Sequence, residues 1–316
     1  MNVVRRKWLL CLKIVFTFFL FYLIFQWVDF HSFLLTLQTA RLMPLVFAVL
    51  LWPLSLLIVS LRWKIILKEY EINLSLSESF DMNWISSFFS NFLPTSIGGD
   101  SYRFLRINNL FEGRKKEILS SILIDRGIGL VGMLIISCFF GLLFWEKIVG
   151  EEVLLIIYLG VICFTIVIII IIFYPSLPVL NKEYSVNIFN QAKDLYNLLA
   201  SFKHNGVLVT VTILSVLFYM INIFATYLAF SAFDSTVSLL LLGFLIPIIG
   251  LSELVPISIN SMGIKEGFAM FIFAYFTISK EIVLSVFLVM RVLLILATLT
   301  GGVRFLILSS LKHAEK

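Results

Sequence analysis

The chain has 316 residues, of which 60% are apolar and only 14% are charged, and its mean hydropathy is +1.05. Soluble domains carry about 25% charged residues, so this composition excludes a soluble enzyme. The net charge of +5 does not indicate nucleic-acid binding, because in a membrane protein the informative quantity is where lysine and arginine lie relative to the spans. We therefore expect an all-α, polytopic membrane protein with no nucleic-acid partner.

Six apolar stretches approach or exceed the ~20 residues needed to cross a bilayer. The predicted spans are 8–27, 43–61, 118–145, 153–174, 207–230 and 281–308. Two further apolar stretches, 79–97 and 237–278, are interrupted by proline and glycine, and we predict that they form re-entrant helical hairpins. The segment 181–205 has apolar residues at helical spacing, which predicts an amphipathic helix on the cytoplasmic interface or a connecting helix packed under the bundle.

The distribution of basic residues predicts the orientation. If the N-terminus is cytoplasmic and the six spans cross, sixteen of the 24 lysines and arginines fall on the cytoplasmic side and four on the other, the remaining four lying within spans. Arg62 is among the sixteen, as a residue just after the second span. The bias follows the positive-inside rule, so we expect both termini in the cytoplasm.

The two halves of the sequence resemble each other. Pro94-x-Ser-Ile and Pro256-x-Ser-Ile are offset by 162 residues, and Ser-x-x-Leu-x-x-Arg ends at Arg126 and again at Arg291, offset by 165. Near-constant offsets of this kind indicate an internal repeat.

The repeat predicts a cavity. Three predicted spans separate the two proline motifs, and an odd number of crossings makes the repeats, 1–150 and 151–316, inverted in one membrane domain. Inverted repeats with broken helices are common in secondary transporters. Because non-helical backbone is tolerated at membrane depth only where protein or water covers it, we expect a polar cavity between the two hairpins.

The first hairpin ends in a polar constellation of Gly98, Gly99, Asp100, Arg103 and Arg106. Two glycines permit positive φ and a close approach of the backbone, and a helix beginning at Asp100 would direct free N–H groups to the hairpin tip. Such a place suits a phosphate, with an arginine adding charge-assisted hydrogen bonds. The alternative is a glycine turn in which Asp100 caps a helix and the arginines anchor it at the interface.

Charged residues also lie inside predicted spans. Asp125 and Arg126 lie in the third span and Arg291 lies near the middle of the last one. Buried charges are costly and normally face the bundle interior, so we expect Arg126 and Arg291 to bind a lipid phosphate. The alternatives are a structural ion pair between helices for Asp125 and Arg126, or an Arg126 side chain that snorkels to the membrane interface. Gly301-Gly302, in the last span, is predicted to allow tight helix packing.

The second hairpin carries a polar cluster around Gly263. Its predicted binding residues are Glu253, Ser258, Asn260, Lys265 and Glu266, with Ser261 between them. Lys265 and Glu266 are expected to bind a lipid headgroup, a proton or each other, and the alternative is a surface pair at the hairpin mouth. The three cysteines and three histidines are scattered, so we expect no metal, no cofactor and no catalytic triad.

The ordered set of motifs resembles a known family over nearly the whole chain. The motifs are Asn91-x-x-Pro94, Gly98-Gly99-Asp100-x-x-Arg103, Asp125-Arg126, Pro256-x-Ser258, Gly263-x-Lys265-Glu266, Arg291 and Gly301-Gly302. They resemble the flippase-like integral membrane proteins related to the transmembrane region of lysylphosphatidylglycerol synthases. The resemblance implies a bacterial-type inner-membrane protein that handles anionic phospholipids or polyprenyl-linked lipids. It also implies that the matching glycine, aspartate, arginine, lysine and glutamate positions are important.

Two departures from this family bear on function. The full synthases carry a soluble aminoacyl-transferase domain, whereas this chain ends at Lys316, so we expect no aminoacyl transfer by this chain alone. Where the family often has glycine in the second hairpin, this chain has Ser261.

Three functions remain open from the sequence. The leading one is a lipid translocase that binds the phosphate of an anionic phospholipid or polyprenyl phosphate through Arg103, Arg126 and Arg291. The second is an intramembrane enzyme acting on a lipid phosphate, for which the sequence offers only carboxylates and serines. The third is a membrane scaffold for a lipid-modifying or glycosyl-transferring partner enzyme, in which intramembrane charges merely pair. A homo-oligomer is compatible with each.

Overall fold

The computed structural model describes residues 3–92, 98–173, 206–254 and 257–314. These residues form helices joined by turns, and no β-strand occurs among them. The predicted amphipathic helix at 181–205 lies outside the described residues, as do Pro94 and Pro256 of the repeat motifs.

The described residues form twelve α-helices. They are α1 (Val3–Trp27), α2 (Phe30–Gln38), α3 (Leu42–Glu69), α4 (Leu76–Phe92), α5 (Gly98–Asn108), α6 (Lys115–Leu142), α7 (Trp145–Val149), α8 (Glu152–Phe173), α9 (Val207–Ser231), α10 (Leu239–Leu251), α11 (Ile264–Ala274) and α12 (Lys280–Ala314). Each of the six predicted spans coincides with one helix, namely α1, α3, α6, α8, α9 and α12.

Four helices are long and apolar enough to cross a membrane. They are α3, α6, α9 and the part of α12 from Lys280 to Ser310. A fifth candidate is the pair formed by α1 and α2, which is bent by 90° at its break, and Glu152–Ile168 of α8 is a shorter apolar helix. The chain is therefore a multi-pass helical membrane protein, and its count of six spans stays a prediction.

Both interrupted stretches contain two helices. In the first, these are α4 and α5, and in the second, α10 and α11 flank two short 3-10 turns, Ser252–Leu254 and Ile259–Ser261. In the second stretch the helix α11 begins directly after Gly263, whereas Pro247 lies inside α10. The re-entrant path and the inverted order of the repeats stay predictions.

The chain divides into two compact units. One contains residues 1–56, 81–103 and 220–316, and the other contains 57–80 and 104–219. The units interleave along the sequence, whereas the predicted repeats meet at residue 150, and this predicted boundary stays a prediction.

Helices α4 and α12 pack closely at the glycine pair. A Cβ added at Gly301 would lie 2.5 Å from the Trp84 carbonyl oxygen, and one at Gly302 would lie 2.8 Å from the Phe88 ring. The Trp84 indole N–H also donates a hydrogen bond to Thr300 Oγ1 at 3.0 Å. The prediction that Gly301-Gly302 allows tight packing is thus confirmed.

We expect Gly301→Ala to destabilise the protein by about 1–3 kcal/mol, since a methyl group would collide with backbone that cannot rotate away. Gly127→Ala is the matched control, because a Cβ at this glycine of α6 meets nothing within 4 Å. Thermal unfolding of the detergent-solubilised proteins measures both changes. Equal melting temperatures for the two variants would contradict the packing role.

Serine residues cap both interrupted stretches. The Ser75 hydroxyl accepts a hydrogen bond from the Glu78 N–H at 3.2 Å, and Glu78 accepts one from the Ser75 N–H at 2.8 Å, which is a capping box at the start of α4. At α10, Ser238 accepts from the Leu241 N–H at 3.2 Å. The offset between the two caps is 163 residues (238 − 75), close to the offsets of the repeat.

The capping box predicts a pH dependence. Hydrogen bonds from the Ser75 N–H and hydroxyl lower the pKa of Glu78 below its ordinary value of 4.5. A lowered pKa in the folded state adds stability that is present above the ordinary value and is lost as the pH falls through the folded value. We therefore expect Glu78→Gln to melt below the native chain at pH 7, and the difference to vanish as the pH falls below 4.5. A difference that is constant with pH would contradict this.

Candidate binding cavity

Arg291 is held by two elements of the second hairpin. Its Nε donates to Glu266 Oε1 of α11 at 2.7 Å, and its Nη1 donates to the Asn260 carbonyl oxygen at 3.1 Å. The Glu266 side chain is fully buried, whereas 15% of the Arg291 side chain remains accessible. Because unpaired charges are costly away from water, the pair lets both ionised groups occupy the interior of this unit.

The position of Glu266 depends on Gly263. Gly263 precedes α11 with a φ of 82°, and its N–H donates to Glu266 Oε2 at 2.7 Å. A Cβ at Gly263 would lie 2.7 Å from Leu20 Cβ of α1. Both the left-handed backbone and the close approach of α1 therefore require glycine here.

The tip of the second hairpin has an unusual backbone. Asn260 and Ser261 have φ values of 47° and 54°, in the left-handed region that asparagine tolerates better than serine. The turn is supported from α1, where Thr17 Oγ1 accepts a hydrogen bond from the Ile259 N–H at 3.1 Å. The Ser261 hydroxyl donates to the Glu253 carbonyl at 3.3 Å. This turn is what directs the Asn260 carbonyl at Arg291.

Asparagine side chains connect the two interrupted stretches. The Asn260 amide donates to Asn91 Oδ1 at 2.8 Å, and the Asn91 amide donates to Thr298 Oγ1 of α12 at 3.0 Å. Asn91 is the penultimate residue of α4, so the end of the first stretch reaches the tip of the second.

A cavity of about 320 Å³ opens beside these residues, at the lower end of typical ligand sites. Its polar lining consists of Trp52, Ser55, Asn91, Asn222, Thr226, Glu253, Asn260, Lys265, Glu266 and Arg291, and its apolar walls come from α3, α9, α10 and α12. The first interrupted stretch contributes Asn91 and the second contributes most of the charged lining, and a cavity between two re-entrant hairpins stays a prediction.

The charged groups of the cavity balance. Besides Arg291 and Glu266, the lining holds Lys265 and Glu253, whose Nζ and Oε1 atoms lie 2.5 Å apart. This second pair is the more accessible one, with 32% of the Lys265 and 50% of the Glu253 side chain exposed. The cavity thus has one deep and one shallow ion pair, with two positive and two negative charges.

The predicted residues of the first hairpin lie elsewhere. Among the described residues, the segment Gly98–Arg103 contributes none to the cavity lining. A Cβ at Gly99 would lie 2.5 Å from the Ser86 carbonyl oxygen, so this glycine permits close packing of α5 on α4. Gly99 is helical, which corrects the expectation of a positive φ. The helix α5 begins at Gly98 rather than at Asp100. Arg103 and Asp100 form a buried ion pair at 3.4 Å.

Asp125 belongs to an ion pair whose partner, Arg62, the sequence did not indicate. Arg62 Nε donates to Asp125 Oδ1 at 2.7 Å, and Arg62 Nη1 donates to Ser215 Oγ at 2.9 Å. Arg62 is 6% exposed and lies inside α3, which continues to Glu69, whereas its predicted cytoplasmic side stays a prediction. The alternative reading of Asp125, a structural pair between helices, describes this contact. The neighbouring Arg126 has an exposed side chain.

One predicted binding residue lies outside the cavity, and one further ion pair had no signal in the sequence. Ser258 is buried and directly precedes the 3-10 turn Ile259–Ser261. It is not among the described residues that line the cavity. Arg304 Nη2 of α12 donates to Asp81 Oδ2 of α4 at 2.7 Å. No sequence motif indicated Asp81 as an ion-pair partner. The one feature of the sequence that could have done so is that Asp81 is a carboxylate near the start of an apolar stretch.

These features define a helical membrane protein with a polar, charge-balanced cavity inside one unit. The sequence of residues 10–302 matches the family described as the lysylphosphatidylglycerol synthase TM region. The chain belongs to this family, and it is therefore a membrane-embedded protein linked to lipid metabolism. No curated protein matches the chain.

The left-handed serine at the hairpin tip yields a prediction. Serine in this conformation costs of order 1 kcal/mol or more, whereas glycine adopts it freely. We expect Ser261→Gly to raise the thermal stability, and Ser258→Gly, a change outside the left-handed region at φ −109°, to lower it. If both changes lower the melting temperature, the strain at Ser261 is not relieved by glycine.

Proposed function

We propose that this protein is a lipid translocase that binds the phosphate of an anionic phospholipid or a polyprenyl phosphate in the cavity around Arg291. The observation that carries the proposal is a partly accessible arginine in a polar cavity of a membrane protein. A guanidinium is the side chain best suited to bind phosphate oxygens. The family's link to lipid metabolism supports a lipid as the source of that phosphate.

The size of the cavity supports headgroup binding. Its volume of about 320 Å³ is small for a ligand site, so a phosphate headgroup enters it while the acyl or prenyl chains stay in the bilayer. The apolar walls suit the first carbons of those chains. Lys265, at the accessible pair, is the second cation available to the phosphate.

The proposal includes the features that the sequence predicts beyond this site. The protein lies in a bacterial-type inner membrane with cytoplasmic termini, and its two broken stretches are re-entrant hairpins of an inverted repeat. Movement of these hairpins exposes the cavity to one leaflet and then to the other. The chain transports its lipid rather than modifying it.

A scaffold for a lipid-modifying or glycosyl-transferring enzyme is the second candidate. It is favoured by the pairing of Arg291, since both Glu266 and the Asn260 carbonyl already accept its hydrogen bonds. In a scaffold such pairs only join helices. The two candidates differ in whether the pair opens to a ligand.

Loss of the Arg291 charge tests the proposal. We expect Arg291→Gln to reduce protein-dependent flipping of fluorescent phosphatidylglycerol in phosphatidylcholine proteoliposomes by about tenfold or more, because a charge-assisted hydrogen bond contributes about 1.5–3 kcal/mol. A parallel assay uses a labelled polyprenyl phosphate.

Arg304→Gln is the matched control. Arg304 also lies on α12 and pairs with a carboxylate at 2.7 Å, but it does not line the cavity. Retained flipping by this variant, with loss in Arg291→Gln and normal gel filtration for both, supports a translocase. If the native chain flips neither lipid, or both variants lose flipping equally, the scaffold is favoured.

A further inference from the structure

Glu266 occupies the position on Arg291 that a phosphate oxygen would take. Its Oε1 atom accepts from Arg291 Nε at 2.7 Å, and its Oε2 atom accepts from the Gly263 N–H at 2.7 Å. Both residues of the pair line the cavity. A carboxylate presents the same kind of charged oxygen acceptor to a guanidinium as a phosphate does.

We propose that Glu266 is an internal competitor of the lipid phosphate, which binds by replacing the carboxylate on Arg291. This inference rests on the proposed function, since it concerns how the same cavity admits and releases its ligand. It makes Glu266 a residue that sets affinity and release, rather than one that adds a contact to the lipid.

The displaced carboxylate keeps one partner. Its Oε2 atom is held by the backbone N–H of Gly263, which is independent of Arg291. Lys265, the other cation of the cavity, stays available to the incoming phosphate.

The exchange explains why a carboxylate lies on Arg291 inside the cavity. An arginine without a counter-ion in a membrane protein is costly, so Arg291 needs a partner whenever no lipid phosphate is bound. Glu266 is that partner, and the cavity holds two balanced ion pairs. The same carboxylate also drives the phosphate off Arg291 at the end of the cycle, so tight binding does not trap the lipid.

Replacing Glu266 by the uncharged amide tests the competition. We expect Glu266→Gln to bind dihexanoyl phosphatidylglycerol more tightly, by on the order of tenfold, as measured by calorimetric titration of the purified full chain in detergent. Its maximal flipping rate in proteoliposomes should fall, because release becomes slower. A merely structural Glu266 would instead lower affinity and rate together.

Two further variants make the outcome decisive. Asp81→Asn removes the carboxylate of the Arg304 pair, which lies outside the cavity lining, and we expect unchanged affinity. Glu266→Asp keeps the charge but is shorter by one carbon–carbon bond, about 1.5 Å, so it competes less well and should tighten binding to an intermediate degree. If Glu266→Gln does not fold, Glu266→Asp decides the result.

The outcomes separate this inference from the proposed function. Tighter binding in both Glu266 variants and no change in Asp81→Asn supports the competition. If the native chain binds and flips the lipid but the Glu266 variants bind equally or more weakly, the competition is overturned and the proposed function stands. If the native chain neither binds nor flips the lipid, the proposed function fails and the competition fails with it.

Discussion

The low solvating power of the membrane interior is the constraint on which the described structure depends. A charge placed there is stable only beside a counter-charge or a set of hydrogen bonds. Arg62, Arg291 and Arg304 all satisfy this condition with a carboxylate at 2.7 Å. Each pair joins two helices, so the same contact that neutralises a charge also fixes how the helices pack.

The three pairs differ in what surrounds them. The Arg62 pair is almost fully buried, with side-chain exposures of 7% and 3%, and it contacts a serine of a third helix. The Arg304 pair lies where α4 and α12 approach each other at glycine. Of these three pairs, the Arg291 pair is the one whose residues line the cavity. Structural pairing therefore accounts for the first two pairs, whereas the third pair also borders a cavity.

Irregular backbone accompanies the third pair. At the hairpin tip two successive non-glycine residues lie in the left-handed region. The turn donates hydrogen bonds to Thr17 and Asn91 and accepts one from Arg291. Backbone of this kind is tolerated at membrane depth where protein or a water-filled cavity covers it. In a family linked to lipid metabolism, the turn, the cavity and the ion pair together are the site that we propose for a lipid headgroup.

The sequence by itself determined the helices of the apolar stretches. Hydropathy acts over consecutive residues, so each predicted span coincides with a helix, and the motifs of α5, α6, α11 and α12 indicated the family. Only the tertiary structure decided which charges meet. Arg62 pairs across 63 residues, Arg291 across 25 and Arg304 across 223, and such partners depend on how helices pack and rotate against each other. For the same reason, the arginines grouped in one predicted site are distributed between a cavity, a buried pair and an exposed position.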